Sequence, residues 1–141
     1  MRKFWGFYDN GTYRVGCNGS SIYVYDQNNR ELNRFKDIKY AYVGVFQPGT
    51  NIFVAKSTEG SLAIYDLDRS MLLKKIVITQ NGAQDEGIAF SPDGKLLYNI
   101  EKPLCSTRTQ LTVYQTSDYS VYKTLFADEA RMHLEFLEFG K

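Results

Sequence analysis

The chain has 141 residues, which is enough for one domain with a sizeable core. Lys plus Arg number 17 and Asp plus Glu number 16, and the resulting formal net charge of +1 leaves no electrostatic footprint for nucleic acid or an anionic membrane. The 11 Tyr and 9 Phe against only 3 Pro favour strands over disorder.

Neither a targeting segment nor a metal-binding motif stands out in the sequence. The basic start MRKFWGFYDN is not followed by the apolar run of a signal peptide, and no stretch approaches the roughly 18 apolar residues of a membrane span. Cys17 and Cys105 belong to no CxxC or Cys–His spacing, so we expect two free thiols in a reducing compartment. The sequence therefore predicts a soluble cytoplasmic protein that holds no cofactor or metal.

In chain order, a hairpin landmark comes first and recurs twice. GFYDNGTYRV (residues 6–15), VFQPGTNIFV (45–54) and AFSPDGKLLY (89–98) each combine an apolar strand ending in Phe, a tight turn ending in Gly and a second β-rich run. The phenylalanines Phe7, Phe46 and Phe90 are spaced by 39 and 44 residues. This regular spacing predicts a repeated supersecondary unit.

A tyrosine landmark follows each hairpin. The copies read SSIYVYDQNNRELNRF (residues 20–35), GSLAIYDLDRSMLLKKI (60–76) and TQLTVYQTSDYSVYKTL (109–125). Their tyrosines, Tyr25, Tyr65 and Tyr114, are spaced by 40 and 49 residues, and each follows alternating apolar positions. Two independent landmarks in one register indicate three copies of one structural unit.

Each unit is predicted to contain four short strands. In the middle unit we place them at residues 41–46, 51–56, 61–66 and 72–77, with turns at Pro48-Gly49 and Glu59-Gly60. Several strands are apolar on both faces, so each sheet should pack against a neighbour on both sides. The predicted fold class is all-β, with four-stranded antiparallel sheets arranged as the blades of a partial β-propeller.

The blade boundaries follow from the landmarks. The blades are expected at about residues 4–37, 39–78 and 85–127 of one domain. MHLEFLEFGK lines up with EGIAFSPDGK, which predicts the start of a fourth blade at 131–141. Because three blades and one strand cannot close a ring, the chain is either a piece of a longer propeller or one half of a homodimer that completes a ring of about six blades.

GIAFSPDGKLL (residues 87–97) and GSLAIYDLDRSMLLKKI together resemble WD-repeat and YVTN-type propellers, with Tyr65-Asp66 where Trp-Asp usually stands. The loops FKDIKYAY and ITQNGAQDEG lack the histidine that feeds the buried Asp–His–Ser/Thr–Trp network of WD repeats. In the middle blade, Ser57, Tyr65 and Glu59 could fill three places of such a network. The resemblance is therefore to a divergent WD-like blade.

This resemblance implies a non-catalytic interaction scaffold with a protein partner. In such propellers the loops that enter the inner strands face the binding surface, which here means Lys39, Tyr40, Gln84, Asp85, Glu86 and Arg131. No catalytic set is expected, since His133 is the only histidine and GxSxG is absent. The alternatives are a metal-dependent, lactonase-like hydrolase using Asp85, Glu86 and Glu135, or an accessory propeller of a larger multidomain enzyme or sensor.

Overall fold

The structure is a computed structural model that describes residues 3–78, 87–101 and 110–125. Within these residues the chain forms strands and no helix. The strands are β1 (Gly6–Asp9), β2 (Arg14–Cys17), β3 (Ile22–Tyr25), β4 (Glu31–Phe35), β5 (Ala41–Phe46), β6 (Ile52–Ser57), β7 (Ser61–Asp66), β8 (Met71–Val77), β9 (Ile88–Phe90), β10 (Leu96–Glu101), β11 (Gln110–Gln115) and β12 (Ser120–Leu125). The predicted start of a fourth blade at 131–141 lies outside the described residues.

Every four consecutive strands form one antiparallel meander. The first sheet holds β1–β4, the second β5–β8 and the third β9–β12, each in sequence order. The first strands of the sheets are neighbours, because β1 contacts β5 and β5 contacts β9. The predicted all-β fold class is confirmed. The described sheets form a blade-like partial propeller that is not closed into a ring, and the four strands of the middle unit match their predicted positions to within a residue.

The three sheets share one backbone irregularity at the tyrosine landmark. The pairing of the third and fourth strands shifts register immediately before Tyr25, Tyr65 and Tyr114. The turn that follows places Asn29, Ser70 and Tyr119 at positive φ. A bulge and a left-handed residue at the same point of each sheet show that the sequence repeat is also a structural repeat.

The first repeat departs from the predicted register at its inner strand. Phe46 and Phe90 end β5 and β9, whereas β1 continues past Phe7 to Asp9. The turn after β1 is also shorter, since it is closed by Asn10 N donating to Tyr13 O at 3.2 Å. The prediction that Phe7 ends its strand is wrong because the compact Asp-Asn-Gly turn moves the strand end along the chain.

The core consists of two layers, one on each side of the second sheet. The layer toward the first sheet contains Val15, Cys17, Ile22, Val24, Phe35, Ile38, Ala41, Phe53, Ala55, Ala63, Tyr65 and Leu67. The layer toward the third sheet contains Val54, Leu62, Ile64, Ile88, Phe90, Leu97, Tyr114 and Tyr119. The predicted packing of the middle sheet on both faces is therefore confirmed, and alternate residues of β6 and β7 supply the two layers.

Equivalent amide side chains tie neighbouring sheets together. Asn10, just after β1, donates from Nδ2 to Thr50 O of the second sheet at 3.3 Å. Gln47, just after β5, donates from Nε2 to Gly94 O of the third sheet at 2.8 Å. Because the two bonds join equivalent places, the first sheet meets the second much as the second meets the third.

Lysines of the second sheet reach both neighbours. Lys74 Nζ donates to Asp118 O of the third sheet at 3.0 Å, and Lys75 Nζ donates to Asp37 O beside the first sheet at 3.1 Å. The fully buried Lys56 donates from Nζ to Ile100 O at 2.7 Å. The ammonium groups of Lys74 and Lys75 therefore connect the second sheet to both of its neighbours.

Candidate interaction site at the entry to the inner strands

Two of the six residues predicted to contact a partner lie in the described part of the chain. Lys39 and Tyr40 are exposed in the loop that joins β4 to β5. The other four predicted contact residues, together with Cys105, His133 and Glu135, lie outside the described residues; those four are Gln84, Asp85, Glu86 and Arg131. The site is therefore built from the loop around Tyr40.

The backbone of Tyr40 is fixed in an uncommon conformation. Its φ is 59°, in the left-handed region that bulky side chains rarely occupy. Tyr40 N donates to Gly19 O in the β2–β3 turn at 2.7 Å, and Thr58 N in the β6–β7 turn donates to Tyr40 O at 3.1 Å. The residue is thus held by the first and second sheets together, which compensates for local strain of about 1–2 kcal/mol.

Lys39 is anchored by its main chain while its side chain remains exposed. The buried hydroxyl of Ser57 donates to Lys39 O, and Glu59 N donates to Ser57 Oγ at 2.9 Å. Tyr65 does not join these groups, because its hydroxyl donates to Asp37 Oδ2 at 3.1 Å. The expected network of Ser57, Glu59 and Tyr65 is accordingly split into two separate sets of bonds.

Trp5 adds a large aromatic side chain that sequence reasoning missed. Trp5 N donates to Cys17 O at 2.7 Å and so extends the β1–β2 ladder. Its ring lies on Gly19, where an added Cβ would come within 2.7 Å of Trp5 Cη2. The side chain is 61% exposed and that of Tyr40 54% exposed. We call Trp5, Gly19, Lys39 and Tyr40 the Gly19 patch.

A second group of aromatic rings covers the face of the first sheet that points away from the second sheet. The ring of Phe4 lies 5.5, 5.9 and 6.2 Å from the rings of Phe7, Tyr23 and Tyr25. The guanidinium of Arg34 lies over Tyr23 at 4.7 Å. These rings form the aromatic face, which begins at the strand that also carries Trp5, and Phe7 is its most exposed member at 48%.

Positive charge borders both aromatic groups. Lys3, Lys36 and Lys39 are exposed, and Arg34 is paired with Glu31 at 3.2 Å. Asp37 is the acidic residue of the same loop. The surface around Trp5 and Tyr40 therefore combines exposed aromatic rings with a local excess of lysine, although the whole chain is nearly neutral.

The described residues offer no site for metal or thiol chemistry. No three His, Cys, Asp or Glu side chains among them converge in a way that could hold a metal ion. Burial raises the pKa of the Cys17 thiol to about 12, so this thiol is protonated and unreactive at neutral pH. Within the same part of the chain, no helix has the length and apolarity to cross a bilayer.

No protein-family model matches the chain, and a comparison with curated proteins finds no similar sequence. The architecture is shown by the three sheets, whereas the relation to WD-repeat proteins stays a resemblance in the motifs.

Proposed function

We propose that the chain is a divergent WD-repeat-like propeller module that binds a protein partner through the Gly19 patch. The observation that carries the proposal is the pair of exposed aromatic side chains at one point of the surface, Trp5 on Gly19 and Tyr40 bonded to it. Tryptophan and tyrosine are the residue types that most often dominate protein interfaces. Aromatic side chains of this size carry much of the apolar area that an interface removes from water.

The rigidity of the patch supports a binding role. The main chains of Trp5, Lys39 and Tyr40 are each bonded to a strand or turn of the first or second sheet. A backbone that is held in place before binding loses less conformational entropy when a partner docks on it. The patch therefore offers an anchor that needs no rearrangement of the backbone.

The charges favour one kind of partner. The lysines Lys3, Lys36 and Lys39 around the exposed rings match a segment that presents apolar side chains next to carboxylates. A nucleic acid is disfavoured, because the formal net charge of the chain is only +1. We therefore propose an acidic, partly apolar protein segment as the ligand of the patch.

Site-specific photo-crosslinking tests this proposal. A photoreactive phenylalanine at position 40 should trap the partner, and the same residue at position 122 should not, although Tyr122 is also an exposed aromatic. With the trapped protein purified, Trp5→Ala and Tyr40→Ala should each weaken its affinity by about tenfold to a hundredfold. Tyr122→Ala is the matched control and should bind as the parent does.

The contribution of the Lys39 charge to partner binding is tested by a separate measurement. Lys39→Glu should slow association and reduce the salt dependence of the rate, because an interfacial rim charge acts mainly on the encounter step. The variants should unfold at the parent temperature, since the altered side chains are exposed. A purified partner that binds the Trp5→Ala/Tyr40→Ala double variant as tightly as the parent would contradict the proposal.

A further inference from the structure

A groove runs between the second and third sheets, away from the Gly19 patch, and its lining is largely apolar. It has a volume of about 420 Å³. One wall is the stretch of β8 that includes Lys74 and Lys75, and the other comes from β11 and β12. Glu101, the last residue of β10, lines the groove although its surface is only 5% exposed. A buried carboxylate thus faces a space large enough for a small molecule.

The carboxylate of Glu101 is bound by neutral groups. Tyr114 OH donates to Oε2 and Thr112 Oγ1 to Oε1, both at 2.7 Å, and Asn99 Nδ2 donates to Oε2 at 2.9 Å. Within the described part of the chain, no Lys, Arg or His lies within ion-pair distance of this carboxylate. A buried charge usually has a partner of opposite sign, and these three neutral donors do not supply one; the buried ammonium of Lys56 is bonded to the preceding residue, at 2.7 Å from Ile100 O.

A second acceptor lies beside Glu101. Asn99 is fully buried, and its Nδ2 is used by Glu101. No described residue donates a hydrogen bond to Asn99 Oδ1. Buried amide oxygens are nearly always satisfied, which makes this oxygen an independent sign of a missing donor. Glu101, which lines the groove, and the unsatisfied Asn99 Oδ1 behind it together favour a cation that carries N–H groups.

We propose that this groove binds a small alkylammonium or alkylguanidinium ion, with its N–H donors on Glu101. Thr112 and Tyr114 hold the carboxylate in place, so the acceptor is oriented before the ligand arrives. The alkyl part of the ligand would lie along the apolar side chains of Ile76 in β8 and Ile78 just after it. The site is separate from the Gly19 patch and does not depend on the proposed function.

Two adjacent lysines on β8 make the charge requirement testable. Lys74 Nζ lies on the groove side, where it donates to Asp118 O, and its positive charge opposes a cationic ligand. Lys75 Nζ points toward the other neighbour and donates to Asp37 O. Lys74→Gln should therefore leave cation binding equal or tighter. Lys75→Gln is the matched variant and should have the smaller effect, because its ammonium is bonded on the side of the first sheet although Lys75 also lines the groove.

The experiment titrates n-butylammonium into the protein and follows amide resonances of Thr112 and Tyr114 by NMR. We expect n-butylammonium to give saturable shifts of these resonances. Tetramethylammonium, which has no N–H donor, should bind at least about tenfold more weakly, and neutral n-butanol should not bind. Glu101→Gln keeps the size of the side chain and removes the charge, and it should weaken n-butylammonium binding by about tenfold or more.

Several results would overturn the inference. One is the absence of saturable binding of n-butylammonium at millimolar concentration. Another is equal binding of tetramethylammonium, which would indicate nonspecific attraction. A third is weaker binding of n-butylammonium to Lys74→Gln, which would contradict the expected repulsion between Lys74 and a cationic ligand. If Glu101→Gln does not fold, the ligand series and Lys74→Gln decide the question alone.

Discussion

Removing the hydroxyl groups of Tyr65 and Tyr114 should have unequal effects, although the two residues occupy the same place in their repeats. Tyr114 OH donates to Glu101 at 2.7 Å, and both partners are buried. Tyr114→Phe leaves a buried carboxylate with one donor fewer, which should cost about 2–3 kcal/mol. Tyr65 OH donates to the exposed Asp37 at 3.1 Å, and water can replace it, so Tyr65→Phe should cost about 1 kcal/mol or less.

Urea denaturation followed by circular dichroism measures both values. The two variants keep the aromatic ring, so neither opens a large cavity. Equal m-values for the parent and both variants would show that the same surface is exposed on unfolding. The expected order is parent, then Tyr65→Phe, then Tyr114→Phe, with a gap of about 1 kcal/mol or more between the variants. A Tyr65→Phe cost equal to or above that of Tyr114→Phe would refute the argument that burial of the acceptor sets the cost.

Two further predictions concern packing and pH. Gly44→Ala should cost about 2–3 kcal/mol in urea denaturation, because its Cβ would lie 2.2 Å from Phe53 Cζ and 2.9 Å from Val54 O. Gly49→Ala, at φ 74° with open space around it, should cost only the backbone strain of about 1–2 kcal/mol, and equal losses would contradict this. The free energy of unfolding should fall as the pH rises above 9.0, which is the ordinary pKa of a cysteine. Burial raises the pKa of Cys17 to about 12, so above pH 9.0 the folded chain keeps a proton that the unfolded chain releases. Below pH 9.0 the stabilisation by the protonated Cys17 thiol is fully present. In Cys17→Ala, the free energy of unfolding should fall less steeply just above pH 9.0, by about 1 kcal/mol per pH unit. A slope equal to that of the parent would contradict this prediction.

The strands of the repeat could be predicted because their signals are local. The alternation of apolar residues and the turn pairs Pro48-Gly49 and Glu59-Gly60 fix where β5 to β8 begin and end. The position of Phe7 could not be read in the same way. Its turn is shorter than that after Phe46, and an alignment on phenylalanine alone cannot reveal a change of turn length.

The contacts between sheets were beyond sequence reasoning for a different reason. Asn10 and Gln47 look like ordinary turn residues, and only the rotation of one sheet against the next brings their amides to Thr50 O and Gly94 O. The same holds for Glu101, whose burial at the end of β10 has no local signal in the sequence. The repeat predicts that sheets stack, but the polar groups trapped between them depend on how they stack.

Tyr40 and Tyr119 show how a strained residue can be assigned a role. Both are tyrosines at positive φ, with values of 59° and 58°, where a bulky side chain costs energy. Tyr119 is 8% exposed and packs in the core layer between the second and third sheets, so burial of its ring offsets the strain. Tyr40 is 54% exposed, and its ring gains little from packing within the described fold. Glycine would fit this backbone at less cost, so an exposed tyrosine here is what the proposed partner contact of the Gly19 patch requires.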